Sequence, residues 1–412
     1  MKIGKLKKDR QFESRNDRSL GIQTYGEQND YPQQIMQIVD SSVTGKPCVD
    51  VYSKFISGRG FVEKDLYTKI INENGQTADY VVDQIAKDYA LFGGFALHVN
   101  YNARFQVTEI QHIPFETVRF EKLDDAGSFS RVAMHRDWGR QFTQLRRWKK
   151  EDIEYIDLYD PSPDAILSQV TRDGGWQNYK GQVYFYSGQG EKVYPLPVFC
   201  NVLTDMNTQE GISNVSNRNA RNNFMPAGAL IDYNNPDESE EQENETEKSL
   251  LEFQGDEVTG NLMLIKARTP EEKPEFISFI GQNYDKAFDS TRKSVREDIG
   301  AAFNQPPILR AENVGANFGA DLMKNAYNYY NSVTENERLV IERVFTEIFK
   351  HWFEATTGNY AIDPLNYTYA NQDIKSIPPD ILATLTVNEK RALIGFEPID
   401  GGDIPITKTG KV

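Results

Sequence analysis

The sequence predicts an α+β chain, and three observations carry that reading. Residues 31–92 place apolar side chains at steps of three and four, residues 95–199 alternate in polarity, and residues 281–354 return to helical spacing around a proline-rich break.

In chain order, residues 1–30 are basic, polar and without periodicity, and are expected to form a flexible arm, either solvated or wrapped on a neighbouring subunit. Asp30 stands where it can cap a helix that has Pro32 in its first turn and Ile35, Met36 and Val39 on its apolar face. Val49, Tyr52, Phe55 and Ile56 mark a second helix, ended by Gly58 and Gly60. Thr77 opens a stronger one, with Tyr80, Val81, Ile85, Ala86 and Tyr89 on one stripe up to Leu91, before the Gly93-Gly94 pair breaks it.

Strand signals follow. FALHVNYN and FQVTEIQHIP read as a hairpin turning at Asn102–Arg104, Phe115–Phe120 is extended, Asp124–Gly127 is a turn, and SRVAMHRDW is a third alternating run. Arg146, Arg147, Lys149 and Lys150 cluster as a solvated edge or a phosphate site. IEYIDLYD, the turn GGWQNYKG, QVYFYSG and KVYPLPVF continue the β character. The many Tyr and Phe residues fit cross-strand pairs better than a base-stacking surface, because they follow strand alternation.

Residues 207–224 form an Asn-rich helix with little to bury by itself, ended by Pro226. AGALIDY and TGNLMLIKA are strands on either side of a strongly acidic run, and Phe276–Ile280 follows a proline-bearing loop. The acidic run is a solvated helix face or a surface for a basic partner. GQNYDKAFDSTRKSVREDIGAAF then puts Tyr284, Phe288, Thr291, Val295, Ile299 and Ala302 on one stripe, with Lys286, Arg292, Lys293 and Arg296 on other faces. Pro306 and Pro307 lack N–H donors and force the helix to stop near Asn304. Beyond the loop, residues 320–354 read as one helix of about 34 residues, about 50 Å if unbroken. That is long for the core of a small domain, and it suits a strut in an assembly. LNYTYANQ is a β segment, Pro378–Leu393 is helical, and the glycines and prolines after Gly395 make the end irregular.

Composition narrows the function classes. The chain has 412 residues, with 39% hydrophobic and 26% charged, enough for two or three compact units. Its net charge of −15 argues against a basic protein that coats DNA, though not against one that lets DNA slide past. Cys48 and Cys200 are expected to be buried reduced thiols. No apolar run is long enough to span a bilayer, and the basic N-terminus has no apolar signal core, so assembly in a reducing cytoplasm is expected. His98, His112, His135 and His351 form no metal-binding spacing. Neither a phosphate-binding loop of the GxxxxGK[ST] type nor a GxSxG elbow occurs, and the two GxG strings read as turns. The weight moves from enzyme to structural assembly.

The order of these segments resembles the portal protein family of tailed bacteriophages. DYALFGGFALHVNYN followed by FQVTEIQHIPFETVRF looks like the family's helix, glycine turn and strand pair. GISNVSNRNARNNFMPAGALIDY resembles its first stem helix, STRKSVREDIGAAFNQPPILRAENVGANFG its second stem helix and tunnel loop, and LTVNEKRALIGFEPID a helix near its C-terminus. Asn304 stands where the family often has glycine.

The resemblance implies a non-enzymatic, cofactor-free portal fold. Its parts would be an arm at 1–30, a wing at 31–206, stem helices at 207–224 and 281–304, a clip at 225–280, a tunnel loop at 305–319, a spine helix at 320–354 and a crown at 355–412. It further implies a dodecameric ring at one capsid vertex of the virion, assembled in the host cytoplasm. Double-stranded DNA passes such a ring without sequence readout. Its partners are the terminase large subunit, then the head–tail adaptor, with the major capsid protein and a scaffold. On this chain the channel residues would be Arg310, Asn313 and Asn317 of the tunnel loop. Lys286, Arg292, Lys293 and Arg296 of the second stem helix would face DNA or pair with a neighbour's carboxylates. Glu240, Glu241, Glu243 and Glu245 would dock the clip's partner. A neck or baseplate ring without a DNA-channel role is the alternative.

Overall fold

A computed structural model describes residues 14–17, 20–26, 28–122, 128–136, 138, 150–188, 193–221, 228–231, 275–278, 284–310, 320–356, 358–367, 384–393 and 397–403. Its architecture is α+β, with helices packed on a mixed sheet. The strands are β1 (Asn16–Asp17), β2 (Ile22–Gln23), β3 (Gly94–Tyr101), β4 (Val107–Ile113), β5 (Val118–Glu121), β6 (Arg131–Met134), β7 (Glu154–Leu158) and β8 (Gln182–Ser187). They lie in the order β1-β2-β5-β6-β7-β8-β3-β4. The expected β3–β4 hairpin forms, with His98 opposite Gln111 and a bulge at Asn100/Tyr101. Phe95 lies directly opposite Tyr186 on β8, their rings stacked at 5.2 Å, which is the cross-strand aromatic pairing expected of these residues.

The pair β7–β8 is parallel. A parallel pair needs a crossover, and the sequence reading passed over the one used here, the helix α5 (Pro163–Arg172). Its signals were nonetheless present: Ser162 accepts a bond from the Ala165 N–H, and Pro163 occupies the first turn. Arg172 on α5 grips Asp157 of β7 with two nitrogens, at 2.9 and 2.5 Å.

Four helices precede the hairpin: α1 (Tyr31–Ser41), α2 (Gly45–Ser57), the short α3 (Lys64–Tyr67) and α4 (Ala78–Phe92). Most of the stripes read from the sequence are buried here, Ile35 and Val39 on α1, Tyr52 and Ile56 on α2, Val81 and Ile85 on α4, while Met36 is half-buried and Tyr80 is exposed. Thr77 caps α4 through the Tyr80 N–H, and Gly93 ends it at φ 76°. Asp30 departs from its expected role: its carboxylate accepts from the Gln34 side chain and makes no cap bond.

Four further expectations are corrected. The segment 14–30 is not a free arm. β1 and β2 pair with each other, and β2 pairs with β5. Beyond them the fully buried Arg119 donates to the Asn29 side chain at 2.6 Å and the Asn29 carbonyl at 2.9 Å. Tyr25 and Trp138 lie against the same guanidinium, each ring centroid 5.4 Å away. Burying Ile22, Gln23, Tyr25 and Asn29 offsets the entropy that a loose arm would have kept. Residues 1–13 lie outside the described residues. KVYPLPVF is not a strand in its described part, since Pro195 and Pro197 cannot donate to a ladder. Cys48 is buried but Cys200 is exposed, at the head of a 3-10 turn. Of Pro378–Leu393 only Val387–Leu393 is helical among the described residues, and it is α10 here. Most of LNYTYANQ, the Asp124–Gly127 turn, and Arg146, Arg147 and Lys149 lie outside the described residues, as does the Lys150 side chain.

The long helix is also broken. It runs as α8 (Ala320–Val333) and α9 (Glu335–Phe349), with Thr334 between them at φ −97° and ψ 8°. The buried Arg338 explains the break. Its guanidinium donates to Phe55 O (2.8 Å), Thr334 Oγ1 (2.7 Å) and Asn331 O (2.5 Å), so it caps the ends of α2 and α8 together. Past α9, Val107 and Phe353 bond across to each other's neighbourhood, Val107 N to His351 O and Phe353 N to Val107 O, covering the start of the edge strand β4.

Candidate functional site

The stretch that the sequence marks for function is a helix pair and the turn that follows it. The pair is α6 (Leu203–Arg221) and α7 (Tyr284–Ala302), which pack along each other. The chain between them includes β9 (Gly228–Ile231) and β10 (Glu275–Ser278), paired antiparallel with Leu230 opposite Phe276. The expected strand TGNLMLIKA lies outside the described residues, as do Glu240, Glu241, Glu243 and Glu245.

Both helices are polar, yet each is fastened to the body at one end. On α6, Met206 and Gln209 are buried. Gln209 accepts from Ser42 Oγ (2.8 Å) and Thr44 N (3.2 Å) and donates to Thr44 Oγ1 (2.8 Å), which ties α6 to the α1–α2 junction. On α7, Val295 and Ile299 are buried, and Phe303 beyond it stacks on Phe199 at 5.1 Å. Asp205 of α6 holds its proton more strongly than an ordinary carboxylate, first because it is partly buried and second because Asp298 of α7 faces it.

Arg292, Lys293 and Arg296 are exposed along α7. Arg292 Nη2 donates to Ser216 Oγ on α6 at 2.8 Å, a polar rung between the helices. Among the described residues none of these three forms an ion pair within 4.0 Å. The Lys286 side chain lies outside the described residues.

The end of α7 has a specific geometry. Asn304 adopts φ 50°, its N–H bonds Ala301 O (2.9 Å), and the Gln305 N–H bonds Gly300 O (3.0 Å). This is a Schellman cap with Asn at the left-handed position, a conformation that glycine adopts freely and asparagine tolerates.

The next turn, a 3-10 helix at Pro307–Arg310, folds back on α7. Ile308 is buried. Arg310 lies across Gly300 and donates to Arg296 O at 3.2 Å. A Cβ on Gly300 would sit 1.0 Å from Arg310 Nη1, so this approach requires glycine. The structure thus brings Arg310 and Arg296 together and directs the Arg310 side chain to the helix end. Asn313 and Asn317 lie outside the described residues.

Between this turn and α8 lies an open groove of about 540 Å³, walled by Gln305, Pro306, Pro307, Leu322, Ala326 and Tyr329. Sequence reasoning missed it, as it missed Gln305 and Gly300. A Gln before two prolines and a lone Gly in a helix have no local signature of close packing. Among the described residues no three His, Cys, Asp or Glu side chains gather into a metal-holding group. His112 is hydrogen-bonded to Asp88 Oδ2 (2.7 Å) and His98 to Lys180 O (2.6 Å). No described helix is long and apolar enough to cross a membrane.

No protein-family model matches the chain, and no curated protein matches it. Solved structures do. One is the virion of a native gene transfer agent particle, at TM-score 0.48 and 14% identity, covering 90% of this chain and 94% of that one. A second is the neck of the native gene transfer agent particle computed with C12 symmetry, at TM-score 0.43 and 15% identity, covering 89% and 95%. A third is an HK97 family phage portal protein from Corynebacterium diphtheriae, at TM-score 0.42 and 12% identity, covering 84% and 98%.

Proposed function

We propose that this chain is the subunit of a portal-type ring at a capsid vertex, through which double-stranded DNA is packaged and later leaves. The observation that carries the reading is the helix pair. Two polar helices, α6 and α7, are anchored at one end to the body and joined through a separate insert that contains the β9–β10 pair. After α7 the chain folds tightly at Asn304–Arg310, and the α8–α9 strut follows, interrupted at Thr334. Helices with so little to bury within one chain suit a ring, where copies join by heterologous contacts and the rotation closes.

In this reading α6 and α7 are the stem, and the insert is the clip that docks the terminase and then the adaptor. The segment after Arg310 borders the channel. Lys293 and Arg296 are exposed cations that meet passing phosphates or the next copy's carboxylates. The fold performs no chemistry on DNA; it guides it.

Negative-stain images of the purified full-length chain test the proposal. A closed ring with a central hole is expected, and a monomer at micromolar concentration overturns it. Deleting residues 311–318, which leaves the packed Ile308 and Arg310 in place, separates the portal from a neck or baseplate ring. Rings form in both cases, and only a portal loses DNA packaging or retention. Changing Glu240, Glu241, Glu243 and Glu245 to Gln weakens docking of a basic partner and leaves the ring intact; unchanged docking removes that role from the acidic run.

A further inference from the structure

The loop between α3 and α4 carries the chain's one Asn-Gly pair, Asn74-Gly75. Glu73, Asn74 and Gly75 are all exposed, and the Asn74 carboxamide makes no hydrogen bond with a described residue. Gly75 adopts φ 72°, and the place where a Cβ would stand is open, with no heavy atom within 4 Å. Its N–H is held by one bond, to Asn72 O at 3.1 Å.

On both sides of this tip the loop is fixed. The Ile71 N–H bonds Gln76 O (3.0 Å), Asn72 Nδ2 donates to Gln76 Oε1 (2.8 Å), and the Gln76 N–H bonds Asn72 Oδ1 (3.1 Å). The same residues cover the edge strand β4. Ile110 N donates to Ile71 O (2.8 Å), the Ile110 carbonyl accepts from Asn72 Nδ2 (3.2 Å), and the Glu73 N–H bonds Glu109 Oε1 (3.1 Å).

Asparagine is a labile residue, most of all before glycine, which has no Cβ to keep its own nitrogen away from the neighbouring carboxamide. We infer that Asn74 is a site of spontaneous deamidation, and that its isoaspartyl product loosens the cover on β4. When the bond from Gly75 to Asn72 O opens, the Gly75 nitrogen gives its proton to solvent and attacks Asn74 Cγ. The new N–Cγ bond forms as the Cγ–Nδ2 bond breaks, and Nδ2 leaves as ammonia with a proton from water. Water then opens the cyclic imide at either carbonyl, giving aspartate or isoaspartate, with nothing oxidised or reduced. Aspartate adds one negative charge beside Glu73 and Glu109. Isoaspartate adds that charge and also lengthens the main chain by one methylene, about 1.5 Å. The extra length falls between Asn72 and Gln76, whose mutual bonds fit the shorter path.

The test ages the full chain in mildly alkaline buffer and follows the peptide of residues 70–87 by mass spectrometry. Loss of the Asn74 amide into aspartyl and isoaspartyl forms is expected. Hydroxylamine, which cleaves the imide, is expected to cut the chain between Asn74 and Gly75. Asn178 and Asn359 are internal controls, since both are exposed and each precedes a tyrosine. Conversion at Asn74 no faster than at these two overturns the inference of a labile site. Hydrogen exchange over residues 107–113 reads the second part. The isoaspartyl chain is expected to lose protection at Ile110, while Asn74→Asp, with the charge but not the methylene, and aged Asn74→Gln keep it. Protection at Ile110 that survives in the isoaspartyl chain overturns the loosening, and equal loss in Asn74→Asp overturns the argument from chain length.

Discussion

Gly300→Ala is the most informative single change, because two effects of similar size oppose each other at one atom. Alanine in a helix is favoured over glycine by about 1 kcal/mol. Here the new Cβ would fall 1.0 Å from Arg310 Nη1 and 2.1 Å from Cζ, so the guanidinium has to leave. Leaving breaks its bond to Arg296 O at 3.2 Å. A charge-assisted bond contributes about 1.5–3 kcal/mol when well buried. This one is long and partly solvated, which reduces it to about 1 kcal/mol. The expected net effect of Gly300→Ala in the wild-type chain is therefore close to zero. In an Arg310→Ala background the clash is absent, and Gly300→Ala stabilises by about 1 kcal/mol. A double-mutant cycle followed by chemical denaturation then gives a coupling of about 1 kcal/mol between the two positions. If Gly300→Ala stabilises both backgrounds equally, Arg310 does not rest on Gly300 and the described end of α7 is wrong.

Three further outcomes are expected. Asn304→Gly is neutral or slightly stabilising, while Asn304→Val, which strains a β-branched residue at φ 50°, costs about 1–2 kcal/mol by thermal denaturation. Arg338→Leu leaves Phe55 O and Asn331 O without their shared donor and costs about 2–4 kcal/mol; Arg338→Lys restores little, because one ammonium cannot reach both helix ends. Asp205→Asn raises stability at neutral pH by about 0.5 kcal/mol at most, given solvent screening. The sign follows from linkage: the folded chain holds this proton more tightly than the unfolded one, so ionised Asp205 is unfavourable above its raised folded value. The penalty fades as pH falls towards the ordinary 3.8, and the benefit of asparagine should fade with it; a benefit that grows on acidification would refute the assignment.

The parts of the fold that were legible are those where one local pattern suffices. The α4 stripe with Thr77 before it and Gly93 after it, the β3–β4 hairpin, and the stop of α7 before Pro306 needed no knowledge of distant residues. The errors share a cause. Gln23, Tyr25 and Asn29 belong to a stretch without periodicity, and they are held by Arg119, Tyr194 and Pro195, which lie far along the chain. The unbroken pattern from 320 to 354 is interrupted at Thr334 because Arg338 serves the end of a helix that closes at Ser57. In the candidate site the cations of α7 could be listed from spacing. The resting place of Arg310, the approach that requires Gly300 and the unpaired amide of Gln305 could not, because each depends on how close two separate backbone segments come.

The amino-acid sequence by itself therefore determined the α+β class, most of the apolar faces, the helix ends marked by Thr77, Gly58, Gly93 and Pro306, and a polar helix–proline loop–helix stretch. Periodicity and backbone chemistry act over a few residues, and a reader of the chain sees all of them. Only the tertiary structure decided that Asn16–Asp17 and Ile22–Gln23 join the sheet and that β7 and β8 run parallel. It also decided that the strut is interrupted at Thr334, and that Arg310 covers Gly300 beside a groove with an unmet amide. Those outcomes are set by packing and hydrogen-bond satisfaction between segments far apart in sequence, and they exist only once the chain has closed on itself.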